Sequence, residues 1–106
     1  MSLDDRKNAF ENKFKHDEEL KFKVDSRLAK LFGLWIAEQL SLGDEQAQAY
    51  AKQMVMTQMD SPGNDDIIDK GLSDLKGAGK NFERHTLEIQ ITHLEAKAKE
   101  QIMNEV

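Results

Sequence analysis

The chain has 106 residues, of which 39% are hydrophobic and 33% are charged, and its formal net charge at pH 7 is −5. This length corresponds to one domain, and the composition is that of a soluble globular protein near the polar limit of that class, where part of a chain can stay unfolded. The absence of cysteine excludes disulfides, thiolate catalysis and metal sites with sulfur ligands.

The charges are distributed unevenly along the chain. Residues 4–30 hold eight of the fifteen basic residues against seven acidic ones, which leaves the rest of the chain at about −6. Nucleic acid binding requires a surface on which positive charge predominates, so nucleic acid is not an expected partner. No segment approaches the ~20 apolar residues of a membrane span, and the first ten residues lack the apolar core of a signal peptide. We therefore expect a cytoplasmic protein.

The spacing of apolar residues is helical throughout, which predicts an all-α protein. A first, long helix is expected over residues 4–41, followed by a turn in which Gly43 suits the C-cap position and Asp44 suits the N-cap of the next helix. The other helices are expected, in chain order, over residues 44–59, 64–76 and 81–104. Amphipathic helices joined by such short connections predict a four-helix bundle.

The first helix carries two separate apolar stripes. The stripe nearer the amino terminus contains Leu3, Phe10 and Phe14. The second stripe consists of Val24, Leu28, Leu31, Phe32 and Trp35. Between the two stripes the same face carries Asp17 and Lys21, while Leu20 and Phe22 are expected on other sides of the helix. This interruption predicts two modules, an arm of residues 1–20 and a bundle domain of residues 21–106.

A glycine lies inside the second stripe. Glycine in a helix costs about 1 kcal/mol relative to alanine unless its small size is used. We therefore expect a neighbouring helix to cross close to Gly33.

The arm has little apolar surface to bury. Fixing residues 2–19 in one conformation costs roughly 1 to 2 kcal/mol per residue in backbone entropy, which two phenylalanines, one leucine and one alanine do not offset. We expect a flexible, helix-prone arm that folds when a groove accepts Phe10 and Phe14. The alternative that both rings pack in the protein's own core stays open, because aromatic pairs at i and i+4 are often buried in this way.

Two segments of the sequence carry a resemblance to a known family. The run DDRKNAFENKFKHDEELKFK at residues 4–23, continued by KLFGLWIAEQL at residues 30–40, resembles the zeta-subunit family, small inhibitors of the alphaproteobacterial F-type ATP synthase. The similarity is specific over about the first 40 residues. The chain departs from the family pattern at Leu28, where a second arginine is usual, and at Ile36, where alanine is usual.

The resemblance implies a four-helix bundle whose arm inserts into a catalytic interface between large subunits of the ATP synthase head, beside the central rotor. The inserted arm would block rotation in the hydrolytic direction. The protein would be a monomer when free and would lie on the inner face of the plasma membrane through the synthase, without inserting into the membrane. The partner-binding residues implied are Leu3, Asp5, Arg6, Ala9, Phe10, Glu11, Lys13, Phe14, His16 and Asp17.

The segment KGAGKN at residues 76–81 ends like a phosphate-binding loop. The pattern of such loops requires glycine at position 74 and serine or threonine at position 81, where this chain has Asp74 and Asn81, and no strand precedes the segment. Nucleotide cleavage by this segment is therefore not expected. Weak regulatory binding of ATP or ADP by the bundle stays open.

Metal chemistry is not expected either. A calcium loop beginning at Asp60 would have Gly71 where the bidentate glutamate belongs. The acidic residues near position 65 are better explained by a helix start in which Asn64 is the N-cap. His85 and His93 are eight residues apart, which is not the spacing of a helical metal-ligand pair.

No Ser-His-Asp set or carboxylate pair has a spacing that suits catalysis, so we predict that the chain is not an enzyme. The preferred function is inhibition of the ATP synthase through the arm. Two alternatives stay open, a helical adaptor for another protein and a nucleotide-sensing protein.

Overall fold

A computed structural model of the chain describes residues 18–61 and 63–105. These residues form four helices without any strand: α1 (Glu18–Gln39), α2 (Asp44–Asp60), α3 (Asp65–Gly77) and α4 (Arg84–Glu105). The predicted all-α class and four-helix bundle are confirmed. The predicted start of the first helix lies outside the described residues, and α4 begins at Arg84, later than the predicted position 81.

The core is built around α1, which packs mainly on α2 and α4. Its buried residues are Leu20, Val24, Leu28, Ala29, Phe32, Gly33, Ile36 and Ala37. The expectation that Leu20 faces away from this stripe is wrong, because Leu20 is only 4% exposed. Leu31 and Trp35 pack on the edge of the core and stay half-buried. Buried residues of α1 recur at intervals of four. Through this spacing, successive turns of α1 contact two neighbouring helices rather than one.

Among the described glycines, Gly33 lies closest to the backbone of a neighbouring helix, α2. A Cβ atom at Gly33 would lie 2.7 Å from the Cα of Ala51 and 3.1 Å from the Cβ of Met54. The expected close crossing of a neighbouring helix is therefore confirmed. A second buried glycine, Gly71 of α3, lies against side-chain ends of α1 and α4 rather than against backbone.

The turn between α1 and α2 differs in detail from the expectation. The residue in the left-handed conformation is Ser41, with φ of 59°. The N–H of Ser41 donates to the carbonyl of Glu38, and the N–H of Leu42 donates to the carbonyl of Ala37, both at 3.0 Å. This is a Schellman motif. Gly43 is therefore not the C-cap of α1 but the N-cap of α2. Leu42 packs on the core and thereby fixes where the chain turns from α1 into α2.

The start of α3 also differs from the expectation. Asn64 occupies the N-cap position, but its side chain makes no capping hydrogen bond. Its Oδ1 instead accepts a hydrogen bond of 3.0 Å from Nε2 of Gln58. Gln58 is the buried polar residue at the end of α2, and a buried amide without a partner costs free energy. The Nε2 group of Gln58 takes up the Asn64 oxygen that would otherwise cap α3, whereas Oε1 of Gln58 is buried without a hydrogen-bond partner among the described residues.

Candidate functional site

The ten residues that the sequence predicts to bind a partner all lie between positions 3 and 17, outside the described residues. The structure does describe the part of the bundle to which this segment is joined. There α1 begins at Glu18, and Leu20 and Val24 are each 4% exposed and part of the core. The chain is therefore held by the bundle from the first turn of α1 onward.

The carboxyl end of α4 lies beside this first part of α1. Arg27 donates through one Nη atom to Oε1 of Gln101 at 2.8 Å and through the other to Oε1 of Glu105 at 2.6 Å. Placing an arginine near the carboxyl end of α4 is favourable, because the last carbonyl groups of a helix carry partial negative charge. Arg27 thus fixes the carboxyl end of α4 against the beginning of α1.

A shallow groove opens at this end of the bundle, between α1, α2 and α4. Its lining residues are Phe22, Lys23, Ser26, Arg27, Lys30, Val55, Ile102 and Glu105. We call it the basic groove, because three of these residues are cations and one is an anion. Phe22 is 51% exposed. The apolar spacing of α1 did not predict this groove, although an aromatic residue outside the core stripe of α1 was a signal for it.

Asp25 lies on the side of α1 that faces α4. Burial raises the pKa of this half-buried carboxyl group, and the negative charge of Glu95 raises it further. Lys21 and Lys99 oppose this effect by stabilising the ionised form. The carboxylate therefore belongs to the α1–α4 contact rather than to the basic groove.

A second polar cluster joins α2 to α3. The phenol of Tyr50 donates a hydrogen bond of 2.6 Å to Oδ2 of Asp74, which also accepts one of 3.0 Å from Lys70. The Nζ atom of Lys70 lies 5.0 Å from the centroid of the Tyr50 ring. Burial, together with the hydrogen bond to Asp74 and its charge, raises the pKa of Tyr50 far above its usual value.

This cluster predicts a specific response to alkaline pH. A phenol whose pKa is raised by folding stabilises the protein fully below the unfolded pKa near 10, and this contribution is lost progressively as the pH rises above that value toward the raised pKa of the folded state. Tyr50 is the only tyrosine of the chain. We expect phenolate absorbance at about 295 nm to appear only together with loss of helical circular dichroism.

The variant Asp74→Asn provides the comparison for this titration. It removes the charge that opposes ionisation, so its phenolate signal is expected at a lower pH than in the unmodified chain. Titration of the unmodified phenol with a midpoint near 10 while the helices remain intact would show that Tyr50 is not held in this way.

The acidic residues at the start of α3 have a partner within the protein. Arg84, the first residue of α4, donates to Oδ1 of Asp69 and, at 3.2 Å, to Oδ1 of Asp65. The pairs join the beginnings of α3 and α4. These contacts, rather than calcium, account for the two carboxylates.

The described residues show neither a metal cluster nor a membrane helix. Over residues 18–61 and 63–105, no group of three or more histidine, aspartate or glutamate side chains is arranged to hold a metal ion. His85 lies 3.6 Å from a carboxylate oxygen of Glu88 on the same helix. None of α1 to α4 is long and apolar enough to cross a membrane.

Comparison with known proteins identifies the family. The family model of the ATPase inhibitor subunit zeta matches residues 1–101. A solved structure, described as a solution NMR structure, is 34% identical with a TM-score of 0.71, and the alignment covers 82% of this chain and 99% of that chain. No curated protein matches. Since the family model spans nearly the whole sequence, including all ten predicted binding residues, the chain belongs to the ATPase inhibitor subunit zeta family.

Proposed function

We propose that this protein is an inhibitory subunit of the F-type ATP synthase and that it blocks ATP hydrolysis by inserting a flexible arm, residues 1–17, into a catalytic interface of the enzyme head. The predicted boundary at residue 20 is moved because α1 begins at Glu18 and Leu20 is in the core. The observation that carries the proposal is the match of the inhibitor family over residues 1–101, which includes the arm as well as the bundle. The protein acts as a regulator rather than as an enzyme and is located where the synthase is.

The composition of the core supports a division of the chain near residue 20. All four helices contribute buried apolar residues, and these lie between Leu20 and Ile102. The largest fully buried side chains are Phe32, Leu28, Ile36, Met54, Ile67, Leu75 and Leu87. Each contributes about 1.5 to 3 kcal/mol to folding. In the proposed mechanism the rings of Phe10 and Phe14 are not part of this core and bind the partner instead.

The residue pattern of the arm suits a segment that binds its partner as a single helix. Phe10 and Phe14 are one helical turn apart and serve as apolar anchors in a closing interface. Residues 4–17 contain four acidic and four basic residues, so this segment brings charge pairs without a net side-chain charge. Such pairs fix the register of the inserted helix. Folding on contact reduces the net affinity, which suits a reversible inhibitor.

The bundle limits how far the arm can enter. A single helix with its side chains is about 10 to 12 Å across, whereas four packed helices are about twice as wide. Because α1 is fixed in the bundle from Leu20 onward, a cleft that admits one helix stops the chain at this residue. The bundle thereby sets the depth of insertion.

The test is an ATPase assay on the isolated enzyme head. It compares the full chain, a chain that starts at Glu18 and a peptide of residues 2–20. The shortened chain starts at Glu18 because Leu20 belongs to the core. We expect the full chain to inhibit, the peptide to inhibit at higher concentration and the shortened chain to be at least about 100-fold weaker. Equal inhibition by the shortened and full chains would refute the arm mechanism.

Geometry at the glycine-rich turn weighs against the nucleotide-sensing alternative. Gly79 has φ of 78° and forms the left-handed end of α3. Its N–H donates to the carbonyl of Lys76 at 3.0 Å, and the N–H of Lys80 donates to the carbonyl of Leu75 at 2.9 Å. A phosphate-binding loop instead points its backbone N–H groups at the ligand. The KGAGK segment therefore functions as a helix terminator.

A further inference from the structure

We propose that the basic groove binds an acidic segment carrying an apolar side chain, located on the enzyme head at the rim of the cleft that receives the arm. This inference rests on the proposed function and assigns a partner contact to the bundle itself. The groove is the second of two attachment points, with the arm as the first.

The apolar part of the groove is formed by three helices. Phe22 of α1 is 51% exposed, Val55 of α2 is half-buried, and Ile102 of α4 is 3% exposed at the base. Among the described residues, Phe22 is the aromatic member of the exposed large apolar side chains. An apolar side chain of the partner would cover the Phe22 ring and contact Val55. Such aromatic anchors commonly dominate the energy of an interface.

The charges of the groove specify an acidic partner. Lys23, Arg27 and Lys30 follow the helical spacing i, i+4, i+7 and so share one face of α1. Both Nη atoms of Arg27 already donate to Gln101 and Glu105, so Lys23 and Lys30 are the cations of the groove that would meet carboxylates of the partner. Among the described residues that line the groove, Glu105 is the one acidic residue. On a chain with a net charge of −5, this face is a local positive strip that favours carboxylates.

The position of the groove places the partner at the rim of the cleft. Phe22 follows Glu18, the first residue of α1, by about one helical turn, which is roughly 6 Å along the axis. When the arm occupies a cleft up to the point where the bundle stops it, this face of α1 is the part of the bundle nearest to the opening. One partner surface can then bind the arm and the groove together, which strengthens binding without a second encounter.

The first test reverses the charge of the groove in the full chain. The variant combines Lys23→Glu and Lys30→Glu, both at exposed positions. The pair Lys23–Glu19 spans 3.8 Å at the surface and contributes little to stability, so the fold should be kept. The control combines Lys76→Glu and Lys80→Glu, which makes the same change in net charge outside the groove. The measurement is the dissociation constant for the enzyme head at low and high salt.

We expect the groove variant to bind at least about tenfold more weakly at low salt, with a smaller difference at high salt, and the control to change less than about twofold. Equal weakening in both variants would mean that only net charge matters and would overturn the proposal. Unchanged binding of the groove variant would overturn it as well.

The second test addresses the apolar contact. Phe22→Ala is compared with Ile89→Ala, because Ile89 of α4 is 58% exposed and lies outside the groove. We expect about tenfold weaker binding for the first and no change for the second. If the arm proves essential while both groove variants bind normally, the groove proposal fails and the proposed function stands. If the unmodified chain does not bind the enzyme head, both fail.

Discussion

Replacing Phe10 and Phe14 together by alanine is expected to weaken inhibition of ATP hydrolysis by at least about 100-fold. The reason is that two aromatic anchors each contribute about 2 kcal/mol or more to an interface that forms by folding upon binding. The same variant is expected to unfold at the temperature of the unmodified chain, since the proposed mechanism assigns both rings to the partner and not to the core. The measurements are an ATPase titration on the enzyme head and thermal unfolding followed by circular dichroism.

The matched control combines Asn8→Ala and Asn12→Ala. These two residues have the same spacing of four and lie in the same arm, but they are not among the predicted binding residues. The control is expected to inhibit within a fewfold of the unmodified chain. A lower unfolding temperature of the double phenylalanine variant would instead favour packing of the rings in the protein's own core. In that case the double phenylalanine variant would lose about 3 to 5 kcal/mol of stability for each buried ring.

The second large effect concerns the contact between α1 and α2. Gly33→Ala is expected to lower the free energy of unfolding by about 1 to 3 kcal/mol, although alanine is the better helix former by about 1 kcal/mol. The reason is that the added Cβ would lie 2.7 Å from the Cα of Ala51, so the backbones of the two helices must separate. Denaturant unfolding with the slope held constant measures this change.

Two other glycines provide graded controls. Gly77→Ala is expected to be neutral or to stabilise by up to about 1 kcal/mol, because a Cβ there meets nothing within 4 Å. Gly71→Ala is expected to fall between the two, since its nearest neighbours at 3.1 to 3.3 Å are side-chain ends that can move. If Gly33→Ala were as stable as Gly77→Ala, the close crossing of α1 and α2 would not be a constraint.

The fold class, the number of helices and the family could all be predicted from the amino-acid sequence. Helical periodicity depends on side chains within the same segment, so it is present in each helix before any packing occurs. The close crossing at Gly33 was also predictable, because an uncompensated glycine in a helix is costly wherever that helix packs. The family could be predicted from a long ordered set of matching residues in the first 40 positions. The family model matches a longer segment, residues 1–101.

How these helices use their side chains depends on how they pack together, which the sequence patterns did not predict. The burial of Leu20 depends on α1 contacting more than one helix, which the spacing within α1 does not reveal. The side chain of Asn64 accepts a hydrogen bond from the buried Gln58 of α2 instead of capping its own helix. The basic groove exists because residues from α1, α2 and α4, distant in the sequence, meet at one end of the bundle. Contacts between distant segments are set by packing, and no local pattern encodes them.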